Sequence, residues 1–228
     1  MTDRKGATAR RTFLGRLATA ALPVAALGFF PRSLAAATRA GAVEDHPTPD
    51  WLRSLRAKHR TVFDVDAHTS GKVLGQARNF LDAWNHSFGV PDRDVNLVMA
   101  VRGTGIPIVL NDAVWDKLHI GEQYGITDPA TKTHPTRNPF IAANVHPGGL
   151  VLANQTVEAL QKRGALFLVC MNTVAAATQK LSSAGLGASD EVRRTILGGL
   201  LPGVIVVPAM VVAFTQMQEH RIAYVYMG

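Results

Sequence analysis

The stretch Ala165-Leu-Phe-Leu-Val-Cys170 is a buried apolar run too short for a helix, and beyond Met171-Asn172-Thr173 it gives way to an alanine-rich segment of helix formers ending at Lys180. A strand feeding a helix is thereby written into the middle of the chain. Cys170, the chain's single cysteine, stands at the junction. Unsatisfied backbone N–H groups and the positive end of a helix dipole favour a thiolate at such a place, which suits a nucleophile or a sulfur carrier. The competing reading is a small buried hydrophobe, the usual fate of free cysteine.

The same alternation recurs on both sides. Residues 38–60 read as a linker, from Thr38 to Asp50, and a short helix at Trp51-Leu-Arg-Ser-Leu-Arg56. Thr61-Val-Phe-Asp-Val65 is a first strand, with Asp64, Asp66 and His68 where it runs out. Val73 to Phe88 has helical spacing of Val73, Leu74, Ala77, Phe80, Leu81 and Trp84. Val95 to Val101 is β-branched and apolar, hence a strand, and Arg102-Gly-Thr-Gly105 is expected to turn the chain. A helix follows over Asn111 to Leu118, with Asp112 as its expected N-cap. Residues 125–149 hold four prolines, several threonines and the turn signal Asn138-Pro139-Phe140; a loop of that length is a lid, an oligomer arm or disorder. Helical spacing returns over Leu150 to Arg163, and Asp190 is expected to cap a helix running to Leu201. Val204 to Val207 is a strand, Pro208 opens a helix through Gln218, and Ile222 to Tyr226 closes the chain as a last strand. Strands alternating with helices imply α/β architecture with a mostly parallel sheet of about five strands and right-handed crossovers.

The N-terminus speaks to location. Arg10-Arg11-Thr12-Phe13-Leu14 lies in a basic head, Leu17 to Phe30 is an uncharged apolar middle, and Ser33-Leu-Ala-Ala-Ala37 is a small-residue exit. These are the parts of a secretory signal of the twin-arginine type, expected to span residues 1–37 and to direct the protein through the Tat translocase to the periplasm or outside the cell. Its middle, at about 14 residues, is shorter than the roughly 20 needed to span a bilayer, so no permanent membrane span is expected. Six basic residues and one acidic residue leave with the segment, so 24 basic and 17 acidic residues fall to 18 and 16. The excess positive charge that would suggest nucleic-acid binding goes with it. A lone cysteine also excludes an intramolecular disulfide.

The C-terminal half resembles the DsrE/DsrF-like family. The match rests on Phe167-Leu-Val-Cys170 leading into a helix, Leu201-Pro-Gly-Val-Ile-Val-Val-Pro208, a short helix with Gln218, and Ala223-Tyr-Val-Tyr226. It covers roughly Asn79 to the C-terminus apart from the long loop. The resemblance implies a three-layer α/β/α sandwich over residues 61–228, a homo-oligomer, and relay of sulfur as a cysteine persulfide. The sequence departs from known relays in its export signal and in having Met171-Asn172-Thr173 where they have glycine-rich or basic residues around the cysteine.

Ligands of open parallel sheets bind beyond the carboxyl ends of the strands. Asp64 to His68, Arg102 to Gly105, Cys170 to Asn172 and Pro208 to Met210 all fall at such ends, so they are expected on one rim. Cys170 is the candidate nucleophile. Arg102, Gly103, Asn111, Trp115, Asn172 and Pro208 are the candidate ligand-binding residues. Arg102 would fix a positive charge, against the alternative of a surface ion pair with Asp112 or Asp116. Trp115 is read alternatively as core or subunit interface, and Asn111 as a turn or cap residue. Asp64, Asp66 and His68 alternate as strand residues do and would suit a metal, but no second His or Cys stands at ligand spacing, so no metal or other cofactor is expected. No phosphate-binding glycine motif and no Gly-x-Ser-x-Gly elbow is present. Three functions follow: an exported carrier of sulfane sulfur or another thiol-reactive small anion, served by a sulfur-donor or sulfur-acceptor protein; a non-catalytic oligomeric binding or assembly module in which Cys170 is packing; and, more remotely, a metal-dependent enzyme using His68.

Overall fold

The computed structural model describes residues 48–228; residues 1–47, which hold the expected signal segment and most of the expected linker, lie outside them. Five strands form one all-parallel sheet: β1 (His59–Ala67), β2 (Val95–Thr104), β3 (Leu166–Cys170), β4 (Val204–Val207) and β5 (Ala223–Tyr226), in the spatial order β4-β3-β2-β1-β5. The helices are α1 (Asp50–Arg53), α2 (Lys72–Phe88), α3 (Asp112–Lys117), α4 (Ile120–Gln123), α5 (Val157–Lys162), α6 (Met171–Ser183), α7 (Ser189–Gly198) and α8 (Met210–Glu219).

The period of two along each strand sorts its side chains between two cores. Phe63, Val65, Leu97, Met99, Val101, Phe167 and Val169 face one way and pack against α2 through α7. Val62, Val98, Ala100, Leu168, Cys170 and Val207 face the other way and meet α1 and α8. The result is a three-layer α/β/α sandwich with one thick helical layer and one thin one. Cys170 belongs to the thin side. Among the described residues no helix is long and apolar enough to cross a membrane.

Four local expectations are corrected. Arg102 to Thr104 continue β2 instead of turning, and the turn falls one step later, where Gly105 N donates to Arg102 O at 2.9 Å. The cap of α3 is Asn111, whose side chain accepts from Val114 N at 3.0 Å; Asp112 lies inside the first turn. Helical spacing over 150–163 yields only a 3-10 turn at Ala153–Gln155 and then α5. Thr156 restarts the chain there by capping Ala159 N, and a β-region N-cap cannot sit inside a continuous helix. Asp190 sits in the first turn of α7, whose N-cap is Ala188.

The long loop over 125–149 is held in place from within the core. Asn138 is fully buried; its side-chain amide donates to Leu110 O at 2.6 Å and Ile108 O at 3.2 Å, while its Oδ1 accepts from Phe140 N at 2.8 Å. Asp112, freed from capping, accepts from Asn138 N, Asn144 Nδ2 and Arg137 Nε. Phe140 then packs edge-on against Trp115, ring centres 6.0 Å apart.

Candidate functional site

β3 ends at Cys170 and α6 begins at the next residue, so Cys170 is the N-cap of that helix. Because its side chain points to the thin layer, the sulfur also meets the start of α8: Met210 N donates to Cys170 Sγ at 3.3 Å. Neither helix has a side-chain cap. The positive end of the α8 dipole is therefore aimed at the sulfur, an arrangement that stabilises negative charge there. Cys170 is only 4% exposed, but it forms part of the wall of an open cavity of about 250 Å³ shared with Arg102, Gly103, Asn172, Thr173 and Met210. At about 30 Å³ per water, that is room for about eight waters or one small ligand.

Arg102 reaches the cavity from β2 and is held by two carboxylates. Its Nε donates to Asp64 Oδ1 at 2.6 Å, its Nη2 to Asp64 Oδ2 at 3.0 Å, and its Nη1 to Asp66 Oδ1 at 2.9 Å. Three of five guanidinium N–H donors are thereby taken, leaving two for a ligand. Asp64 is 1% exposed and receives a further hydrogen bond from Tyr224 Oη on β5. The hydrogen bond to that carboxylate, aided by burial, pushes the Tyr224 hydroxyl up to about 12, and the same carboxylate raises Arg102. The alternative reading of Arg102, a surface ion pair with Asp112 or Asp116, is not what forms: its partners are Asp64 and Asp66.

That pairing also reassigns the metal candidates. Asp64 and Asp66 serve Arg102, and both nitrogens of His68 are engaged: Nδ1 accepts from Ser70 N at 3.0 Å, and Nε2 lies 3.2 Å from Tyr124 O. A carbonyl only accepts, so Nε2 carries the proton, and burial lowers the ring's affinity for a second one. Among the described residues no group of three His, Cys, Asp or Glu side chains is arranged to hold a metal.

Gly103 is fixed by its surroundings. Its φ is +53°, and a Cβ there would collide with the side chain and carbonyl of Asp66. Its N–H donates to Thr173 Oγ1 at 3.1 Å, which ties the end of β2 to the first turn of α6 and holds the cavity floor.

The expected rim thus brings together Cys170, Arg102, Gly103 and Asn172. Pro208 lies beside it, exposed in the turn before α8, and does not line the cavity. Asn111 and Trp115 lie elsewhere. Asn111 caps α3, and Trp115 is fully buried with its indole N–H on Pro107 O at 3.0 Å, so it has no face to offer a ligand. Thr173 and Tyr224 are the contributors that sequence reasoning missed. Thr173 carried one signal, being the only hydroxyl of the Met-Asn-Thr step.

A second cavity, about 410 Å³, opens in the long loop between Asp128, Thr131, Thr133, His134, Arg137 and His146. Asp128 is buried, accepts from Ala130 N and Thr131 N, and lies 2.8 Å from His146 Nε2. Burial pushes its pKa up, but the Thr131 and Ala130 N–H groups and His146 outweigh that and hold it below 3.8. This cavity contains no cysteine, and Asp128 is engaged with His146 and Arg137 with Asp112. Of the two, the cavity at the strand ends is the one that holds the cysteine.

No family model and no curated protein matches the chain. Among solved structures it is similar to a protein of unknown function, MTH1491 from Methanobacterium thermoautotrophicum. The two share 16% identity at a TM-score of 0.41, over 74% of this chain and 99% of that one.

Proposed function

We propose that this is an exported DsrE-like protein that takes up and passes on sulfane sulfur through Cys170. The observation that carries the reading is the sulfur's position: it belongs to the residue at which β3 gives way to α6, accepts the first N–H of α8, and forms part of the wall of a small cavity beside the Arg102 guanidinium. In the proposed step the Cys170 thiolate attacks the outer sulfur of a donor R–S–SH, the donor S–S bond breaks, and the R–S⁻ thiolate leaves. Cys170 then holds a persulfide, whose negative charge the N-terminus of α8 stabilises. An acceptor thiolate attacks the outer sulfur and returns Cys170 to its starting state, so no external oxidant or reductant is consumed. Incubating the protein with an alkyl hydropersulfide should add one sulfur atom to Cys170, detectable by mass spectrometry, and a small thiol should remove it. Absence of that adduct at a donor excess that modifies free cysteine would end this reading.

Export by the twin-arginine route to the periplasm belongs to the same proposal and rests on the residues Arg10-Arg11-Thr-Phe-Leu14. Fractionating cells that produce the wild-type chain and an Arg10→Lys, Arg11→Lys variant tests it: the variant should stay in the cytosol.

A second reading is favoured by the near-complete burial of Cys170 and by the apolar surface exposed on α8 and β5. In it the protein is a non-catalytic oligomeric binding module and the sulfur is packing. Cys170→Ser separates the two, because serine keeps the shape and loses the chemistry. Unchanged ligand binding and assembly in that variant would favour the second reading.

A further inference from the structure

Five of the seven large hydrophobic side chains that the described residues leave exposed lie within sixteen residues of one another: Val211, Val212, Tyr224, Val225 and Tyr226. Three of them form an edge strand. Among the described residues β5 pairs with β1 on one side only, and all four of its residues are exposed. Met227 N donates to Asp64 O, so by the alternation of a strand residues 223, 225 and 227 direct their main-chain groups to β1. The N–H and C=O groups of Tyr224 and Tyr226 therefore point away from the sheet.

Exposed edges are ordinarily blunted by charge, proline or a bulge. The opposite edge, β4, follows that rule: Pro202 and Pro208 bracket it, and its first three residues are half-buried while the fourth is buried. β5 reads Ala-Tyr-Val-Tyr, with no charge and no proline. Among the described residues this edge is therefore left with two residues' main-chain groups unpaired and with apolar side chains exposed.

We infer that β5 pairs antiparallel with β5 of a second copy of this chain across a two-fold axis at Val225, joining two five-stranded sheets into one. A strand edge whose free groups belong to two residues placed symmetrically about a third is self-complementary under that axis. Tyr224 meets Tyr226 of the partner subunit and the converse, which makes four main-chain hydrogen bonds. Val225 meets its own copy. Tyr224, Val225 and Tyr226 are 41%, 41% and 56% exposed, and this pairing covers all three together with the free main-chain groups of the strand. Tyr224 also carries the hydrogen bond to Asp64, so the paired edge lies one carboxylate away from Arg102 and the cavity.

This assignment does not depend on the chemistry of Cys170, and its test keeps the two apart. Sedimentation of the purified protein over a concentration series should show a monomer–dimer equilibrium. Val225→Lys, which sets two ammonium groups opposite each other at the axis, should raise the dissociation constant at least tenfold, with circular dichroism and sulfur uptake by Cys170 unchanged. Val206→Lys on the protected edge should leave the equilibrium as it was. In the wild-type protein, amide exchange at Tyr224 and Tyr226 should slow as concentration rises. A wild-type chain that stays monomeric, a dimer indifferent to Val225→Lys, or Tyr224 and Tyr226 amides whose exchange ignores concentration would each overturn the assignment.

Discussion

The cavity beside Cys170 and the cavity beside His146 are both open and both lined with ionisable groups, but they are assembled differently. The first sits where regular elements end: β2 supplies Arg102 and Gly103, β3 supplies Cys170, α6 supplies Asn172 and Thr173, and the N-terminus of α8 supplies the donor to the sulfur. The second sits in irregular chain and owes its shape to side chains that substitute for secondary structure. Asn138 does the work of a strand neighbour, Asp112 ties three groups of the loop, and Asp128 closes a turn on Ala130 and Thr131. A site at strand ends inherits its geometry from the sheet, whereas a loop site must spend its polar groups on holding itself together. In the larger cavity Asp128 and Arg137 are accordingly engaged with His146 and Asp112.

Removing a group from each site sharpens the contrast. The largest effect is expected for Arg102→Ala. It leaves Asp64, 1% exposed, without its guanidinium, and breaking a partly buried pair in this way costs about 3–5 kcal/mol of stability. Chemical denaturation should show that loss, and Asp64→Asn in the same chain should recover part of it.

Asn138→Ala should cost about 2–3 kcal/mol, since it strands the carbonyl of Leu110 and the N–H of Phe140 in the core. Proteolysis should become faster within 125–149 while the reactivity of Cys170 stays as it was. Coupling between Asn138→Ala and Arg102→Ala larger than about 0.5 kcal/mol in a double-mutant cycle would show that the two sites are not independent.

Tyr224→Phe should cost about 1 kcal/mol, because Asp64 keeps its guanidinium and loses one neutral donor. A spectrophotometric titration should at the same time lose the tyrosine that ionises near 12.

The smallest effect is set by pH. Asp128 has a folded-state pKa below its ordinary 3.8, so its bonds stabilise the native protein above that value. The contribution is lost as pH falls through the lower, folded-state value. Stability of the wild-type chain should therefore drop in acid more than that of Asp128→Asn, with the two curves converging below the folded-state pKa.

The sheet and the rim were legible in the residues because strands buried on both faces read as continuous apolar runs, here Val95 to Val101, Ala165 to Cys170 and Val204 to Val207. Once those runs are strands in a parallel sheet, Arg102 and Cys170 must fall at the same end. What was not legible depends on contacts between distant residues. Nothing near Asp64 announces that it will meet Arg102 and Tyr224, and nothing near Asn138 announces the carbonyls at 108 and 110. The choice of Asn111 over Asp112 as the cap is a shift of one residue between two good capping side chains. It was decided by the loop, which needs the Asp112 carboxylate to hold Asn138 and Asn144.

The central claim concerns whether the sulfur can be reached in the folded protein, and the rate at which a small uncharged alkylating reagent labels Cys170 measures that directly. The account predicts labelling of the native protein, faster than the rate of global unfolding and slowed by a small ligand that fills the space beside Arg102. Labelling that occurs only as fast as the chain unfolds would contradict it and leave Cys170 as part of the core.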